Sequence, residues 1–280
     1  MRCEYGEDGV LHYVIEGLSF EDFDNSGKVS IWKLSKLVEG ARTSTILYDK
    51  RLRYRELNPV LFFIRSNWFK IYPAFYSVLK LGLSVKINLR ISHIGKTSLC
   101  TDTDIVDVLT NELLASTSTH SVMVSKETRT STEIISQVRD LVTIVPSREK
   151  RPLSGPEYPN RPAVHFTHKR IVMSSDSDSN LHLNQAVLIR HCLDCVSMAA
   201  DKGLLTGFLA GVMFDANAEE VWVRYVSEAT VGQELTISCW TDSIIKHIIW
   251  VEVKREDDLI AQCQLTFYPG EKRCMTISKL

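Results

Sequence analysis

The sequence predicts an α+β fold made of two copies of one unit, each with an apolar helix covered by an antiparallel sheet. Three observations predict it. Residues 22–30 read DFDNSGKVS and residues 176–184 read DSDSNLHLN, so a slide of 154 positions superposes one Asp-rich segment on the other. An apolar pattern of helical period follows each segment. After each helix the period changes to two, in strands that follow one another with short turns.

The repeat pairs Asp22 with Asp176, Asp24 with Asp178, Ser26 with Asn180, Lys28 with His182 and Ser30 with Asn184. Ser30 and Asn184 are good N-cap residues, because their side-chain oxygens can accept from the orphan N–H groups of a helix's first turn. Ile31, Leu34, Leu37 and Val38 continue from the first, and Val187, Leu188, Cys192, Leu193 and Val196 from the second. Each helix is expected to run for roughly 12 to 18 residues with one face buried. Strands are expected at His12–Leu18, Leu83–Ile91, Ser98–Val106 and Leu113–Val124 in the first copy. The second copy repeats them at Val164–Val172, Glu220–Val226, Glu234–Trp240, Ile244–Val253 and Leu259–Tyr268.

Five of the eight prolines lie between Pro146 and Pro162, where fixed φ and missing donors favour an extended linker. The expected organisation is therefore residues 1–147, a linker over 148–162, and residues 163–280. At 280 residues the chain is long enough for two cores without disulfide staples. Lys plus Arg is 33 and Asp plus Glu is 34, and that balance argues against a nucleic-acid partner. The apolar stretch Val60–Leu83 is broken by Arg65, Asn67, Lys70, Pro73 and Lys80, so no membrane span is expected. Its aromatic residues, Trp68, Phe69, Tyr72, Phe75 and Tyr76, read better as ordinary core than as a ligand pocket. Cys192 and Cys195 form a C-x-x-C inside a helix, which reads as two buried thiols; with His191 they have no second ligand pair for a metal.

The 176–184 segment resembles the helix-entry loop D-x-D-x-N-G-H-x-N-N of the hotdog-fold thioesterases, in which a curled antiparallel sheet wraps one long helix. Within that superfamily, Asp178-x-Asn180-x-His182 is most similar to the acyl-ACP thioesterases, which carry two hotdogs in one chain. Tyr225-Val-Ser-Glu228 followed by Gly232 is similar to that family's next strand. The resemblance implies a tandem, or double, hotdog with hydrolysis of acyl thioesters, no cofactor and no metal. It also leaves room for a homodimer of double hotdogs. Leu181 stands where relatives carry Gly or Gln, and Gln185 where they carry a second Asn. Ala229 replaces a cysteine that many relatives have, which favours a carboxylate-and-water route over a cysteine nucleophile.

On this reading Asp178 or His182 is the base, Asn180 offers an amide donor, and Glu228 holds the water or His182. Backbone N–H groups near Asn184 would serve the developing oxyanion. Asp178 and Asn180 have an alternative reading as an Asx-turn, and Asp194 further along the helix is a weaker acid candidate. Arg51, Arg53 and Arg55 are expected to meet the phosphates of coenzyme A. With Gly95 aligned to Gly232, Ile91 takes the place of Glu228, and Lys28 that of His182, so the first copy reads as catalytically degenerate. The terminal Ser278-Lys279-Leu280 reads as the address of the peroxisomal import receptor, which points to a matrix enzyme acting on acyl-CoA. Two alternatives stay open: an R-specific enoyl-CoA hydratase of the double-hotdog type, and a non-catalytic acyl-binding protein.

Overall fold

The computed structural model describes residues 2–6, 8–48, 60–141, 144–146, 155–205 and 216–269. Arg51, Arg53, Arg55 and Ser278-Lys279-Leu280 lie outside the described residues. So does residue range 148–154 of the expected linker.

In chain order the elements are β1 (Arg2–Tyr5), β2 (Leu11–Ile15), α1 (Ile31–Tyr48), β3 (Val60–Ile71), α2 (Pro73–Val78), β4 (Val85–Ile94), β5 (Ser98–Asp107), β6 (Leu113–Ser125) and α3 (Ser136–Leu141). Then come β7 (Phe166–Ile171), α4 (Gln185–Asp201), β8 (Ala218–Tyr225), β9 (Glu234–Thr241), β10 (Ile248–Arg255) and β11 (Asp258–Phe267). The strands form one antiparallel sheet in the order β1-β2-β4-β5-β6-β3-β8-β11-β10-β9-β7.

That order has an internal symmetry. Reading from β2 inward gives β2-β4-β5-β6-β3, and reading from β7 inward gives β7-β9-β10-β11-β8. The two runs meet where β3 pairs β8, with Trp68 opposite Trp222 and Lys70 opposite Glu220. The seam is tied by the Lys70–Glu219 ion pair at 2.7 Å and by Trp68 Nε1 donating to Glu220. β3 departs from expectation: the Val60–Leu83 stretch carries a twelve-residue strand. Its aromatic residues behave as predicted, since Trp68, Phe69 and Phe75 are buried core.

The two long helices begin where the caps predict, with 18 residues in α1 and 17 in α4. α4 turns Leu188, Ile189, Cys192, Cys195, Val196 and Ala199 into the main core, against Leu235, Ile237 and Val251 of the sheet. Burying that face is what holds the helix, at roughly 25 cal/mol per Å² of apolar area removed from water. Cys192 and Cys195 are buried free thiols. α1 contributes Ile31, Leu34, Val38 and Ala41 to the same core.

The described end of the proline-rich segment crosses the outer face of the second run. Tyr158 donates to the Gln262 carbonyl at 3.1 Å and packs edge-on against Trp250, and Arg161 pairs with Glu252 at 3.1 Å. The glycine alignment is corrected. Gly82 N donates to Leu18 O at 2.8 Å and Gly232 N to Val172 O at 2.9 Å, both with positive φ, so Gly82 and not Gly95 corresponds to Gly232. Each turn needs a backbone conformation that only glycine adopts without strain. Among the described residues no helix is long and apolar enough to cross a membrane.

Candidate functional site

The loop that enters α4 is built by its own acids. Asp176 is 2% exposed; it accepts from Met173 N at 3.0 Å and from Arg190 Nη2 at 2.7 Å, and its carbonyl accepts from Asn184 N at 2.9 Å. Asp178 Oδ1 accepts from Asn180 N at 2.8 Å and His182 N at 3.3 Å. A short Ser177–Leu183 bridge closes the loop, with Leu181 at its tip at φ +65°. The first copy has the same bonds: Asp24 Oδ1 accepts from Ser26 N and Lys28 N, and Phe23 bridges Val29. Gly27 takes the tip there at φ +77°, which leaves Leu181 as the strained member of the pair.

This loop presents His182. Leu183 N donates to Ala229 O at 2.8 Å, which fastens the loop to the segment after β8 and brings Glu228 alongside. His182 Nε2 lies 3.3 Å from Glu228 Oε2. Glu228 also accepts from Arg129 Nη2 on both oxygens, at 3.0 and 2.9 Å. Arg129 comes from the turn after β6 and stacks over the Phe63 ring at 4.7 Å. The first copy therefore reaches the site through Arg129.

It reaches it a second time through α1. Asn184 caps α4 with Oδ1, accepting from Ala186 N at 2.9 Å and Val187 N at 3.3 Å, while its Nδ2 donates to Glu39 Oε1 at 2.8 Å. The N–H groups of Ala186 and Val187 are thus already occupied. Next to them Asn67 donates to Gln185 Oε1 at 2.9 Å and to the Tyr225 hydroxyl at 3.3 Å. Burial holds the Tyr225 phenol protonated, far above the usual tyrosine range.

Asp178, Asn180, His182, Asn184 and Glu228 all line one cavity of about 880 Å³. Its further wall belongs to the first copy, where Leu11, Leu89, Leu99, Val122 and Val124 make an apolar surface. A concave, mainly apolar space with a few convergent polar groups is the usual form of a small-molecule site. The 22–30 loop of the first copy does not line it.

No protein-family model matches the sequence, and no curated protein does. Solved structures do match the fold. An acyl-ACP thioesterase from Bacteroides thetaiotaomicron superposes with a TM-score of 0.75 at 14% identity, over 94% of this chain and 99% of its own. The 12:0-ACP thioesterase from Umbellularia californica gives 0.75 at 14% identity, over 93% and 98%. The chain has the fold of these thioesterases.

Within that fold the structure brings the four expected side chains Asp178, Asn180, His182 and Glu228 to one wall, with different surroundings. Asp178 is engaged by backbone N–H groups, and Asn180 is exposed with Nδ2 3.5 Å from Asp178 Oδ2. Asp194 pairs with Arg170 at 3.0 Å and is not part of the cavity wall. Sequence reasoning missed Glu39, Arg42, Asn67 and Arg129. All four come from the first copy, read as degenerate, and none carries a local motif. The one signal for Glu39, Arg42 and Asn67 is that charged and amide residues interrupt otherwise apolar patterns in α1 and β3, and Arg129, in the turn after β6, has none.

Proposed function

We propose that the chain is a double-hotdog hydrolase of acyl thioesters, with the C-terminal copy supplying the chemistry and the N-terminal copy most of the acyl cavity. The observation that carries this reading is the His182–Glu228 contact at 3.3 Å on the wall of a largely apolar cavity. A thioester carbonyl is electrophilic enough that a positioned base, a water and an oxyanion donor suffice for hydrolysis.

In the proposed route His182, held by Glu228, takes a proton from water as the water oxygen bonds to the thioester carbon. The carbonyl π pair moves onto oxygen, where the Asn180 amide donates to it. Collapse of that oxyanion breaks the C–S bond, and the proton on His182 passes to the leaving sulfur. One thioester and one water give one carboxylic acid and one thiol. Asp178 holds the loop that aims His182, and Asn184 joins the helix start to Glu39.

Coenzyme A is proposed as the carrier and the peroxisomal matrix as the compartment, on the strength of the Ser278-Lys279-Leu280 tripeptide in the sequence. Arg51, Arg53 and Arg55 are proposed to meet the carrier's phosphates. The test is thiol release from acyl-CoAs of graded length and from the matching acyl-ACPs. Turnover of at least one series, lost in His182→Ala, is expected. No thiol from any of them overturns the proposal, and loss of enoyl absorbance without thiol from 2-enoyl-CoAs replaces it with hydration.

A further inference from the structure

Among the described residues lining the cavity, Arg42 is the half-buried cation that the proposed chemistry leaves unused; Arg65, also in the wall, is exposed to solvent. α1 turns Lys36, Glu39, Arg42 and Thr43 toward the cavity, a polar face among apolar walls. Glu39 is committed, with Oε1 on Asn184 and Oε2 3.2 Å from Lys36 Nζ. Arg129 is committed to Glu228, and Arg90, which also touches the cavity, is buried against Asp104. Arg42 differs from all of them. It donates to Thr119 Oγ1 at 3.2 Å, and among the described residues no carboxylate lies within ion-pair distance of it.

A guanidinium carries five N–H donors, so one hydroxyl partner leaves most of them for something else. Burial lowers the Arg42 pKa, with Glu39 opposing from one helical turn away. Tyr225, also nearby, stays protonated and supplies no counter-charge. The facing wall is not purely hydrocarbon either. Thr101 and Ser121 line it, and Thr103 and Thr117, on the same face of β5 and β6, are buried with hydroxyls that have no partner.

A plain hydrocarbon chain in this space strips water from Arg42 and offers nothing in return. A carboxylate offers two acceptor oxygens matched to the guanidinium fork, and the low-polarity wall strengthens that pairing. We infer that the cavity takes acyl thioesters whose acyl group carries a carboxylate of its own, bound by Arg42. The inference names a substrate class for the hydrolysis proposed above and rests on that reading.

The experiment compares neutral and ω-carboxy acyl-CoAs of equal carbon number, hexanoyl with adipoyl, octanoyl with suberoyl and decanoyl with sebacoyl, on the full chain. The readout is the ratio of kcat/KM within each pair. Wild type is expected to prefer the carboxylated member by about tenfold or more at its best length, the factor that ~1.4 kcal/mol gives. In Arg42→Met the ratio is expected to fall to one or below, and in Arg42→Lys to lie between, since an ammonium pairs without the fork. A wild-type ratio at or below one, or a ratio that Arg42→Met leaves in place, overturns the inference while hydrolysis itself stands.

Should no thioester be hydrolysed, calorimetric titration with suberic monoamide against octanamide decides independently. Tighter binding of the monoamide, lost in Arg42→Met, upholds the Arg42 site. Equal binding of the two overturns it.

Discussion

Glu228 Oε2 lies 3.3 Å from His182 Nε2, and the two residues come from different places in the chain, the segment after β8 and the loop that enters α4. Arg129 holds both oxygens of the same carboxylate from the other half of the sheet, at 3.0 Å for Oε1 and 2.9 Å for Oε2. The carboxylate orients the imidazole directly, and Arg129 supports the carboxylate. His182→Ala is expected to lower kcat by about 10²–10⁴, the range of a positioned acid–base group, and Glu228→Gln by about 10². Arg129→Ala is expected to cost only about three- to tenfold, because the pair is partly exposed and exposed pairs are weak. Steady-state thiol release orders the three variants. Wild-type turnover in Glu228→Gln would reduce the contact to a surface ion pair.

Asp178 makes a separable prediction, because its Oδ1 is occupied by Asn180 N and His182 N. Asp178→Asn keeps that acceptor and removes the charge, so activity within about tenfold of wild type and an unchanged melting temperature are expected. Asp178→Ala frees both N–H groups and is expected to cost about 1 kcal/mol, with a larger loss of activity as His182 loses its aim. An Asp178→Asn enzyme that melts normally but does not turn over would assign the charge itself to the chemistry.

What made this much legible in the sequence is the locality of the loop chemistry. Asp176, Asp178 and Asn184 bond to backbone groups within a few residues, so type and spacing alone carry the structure. The caps placed α1 and α4, and period-two patterning placed most strands. β3 escaped because it is buried in the seam and reads as an apolar run broken by charges, with no alternation to count. The sequence pairs Gly95 rather than Gly82 with Gly232 for the same reason: without β3 and α2, the intervening length has no structural meaning. Glu39, Arg42 and Arg129 were illegible on other grounds. Their partners, Asn184, the cavity and Glu228, are brought to them only by the edge-to-edge pairing of β3 with β8, which no local pattern announces.

The Asn184–Glu39 bond at 2.8 Å joins the two long helices, and Asn184 is 2% exposed. Asn184→Ala removes a helix cap, worth about 1 kcal/mol, and withdraws the donor from Glu39 Oε1, worth about 1–2 kcal/mol more. A loss of roughly 2–3 kcal/mol in urea unfolding is expected. Adding Glu39→Leu to that variant is expected to return part of it, since no carboxylate oxygen that has lost its donor then remains at the helix contact. Additive losses in the double variant would show that Glu39 and Asn184 act independently.

His191 sets a pH dependence of stability. It is 1% exposed in α4, and both its ring nitrogens lack a hydrogen-bond partner, with Asp176 Oδ2 at 3.6 Å. Burial lowers its pKa to about 4, aided by Arg170 and Arg190, and outweighs the pull of Asp176 in the other direction. The unfolded chain, with an ordinary histidine near 6.5, binds the proton first. Between those two values the unfolded state holds more protons than the folded one, so stability is full above about 6.5 and is lost as the pH falls toward 4. The ceiling on that loss is about 3.5 kcal/mol, from ~1.4 kcal/mol per pKa unit. Subtracting the pH–stability curve of His191→Met from that of wild type isolates the histidine from the carboxylates. The difference is expected to be flat above pH 7 and to slope between about 6.5 and 4. A flat difference throughout would mean that folding leaves the His191 pKa unshifted, and a slope of opposite sign above about 6.5 would mean that His191 is protonated in the folded protein and paired with Asp176.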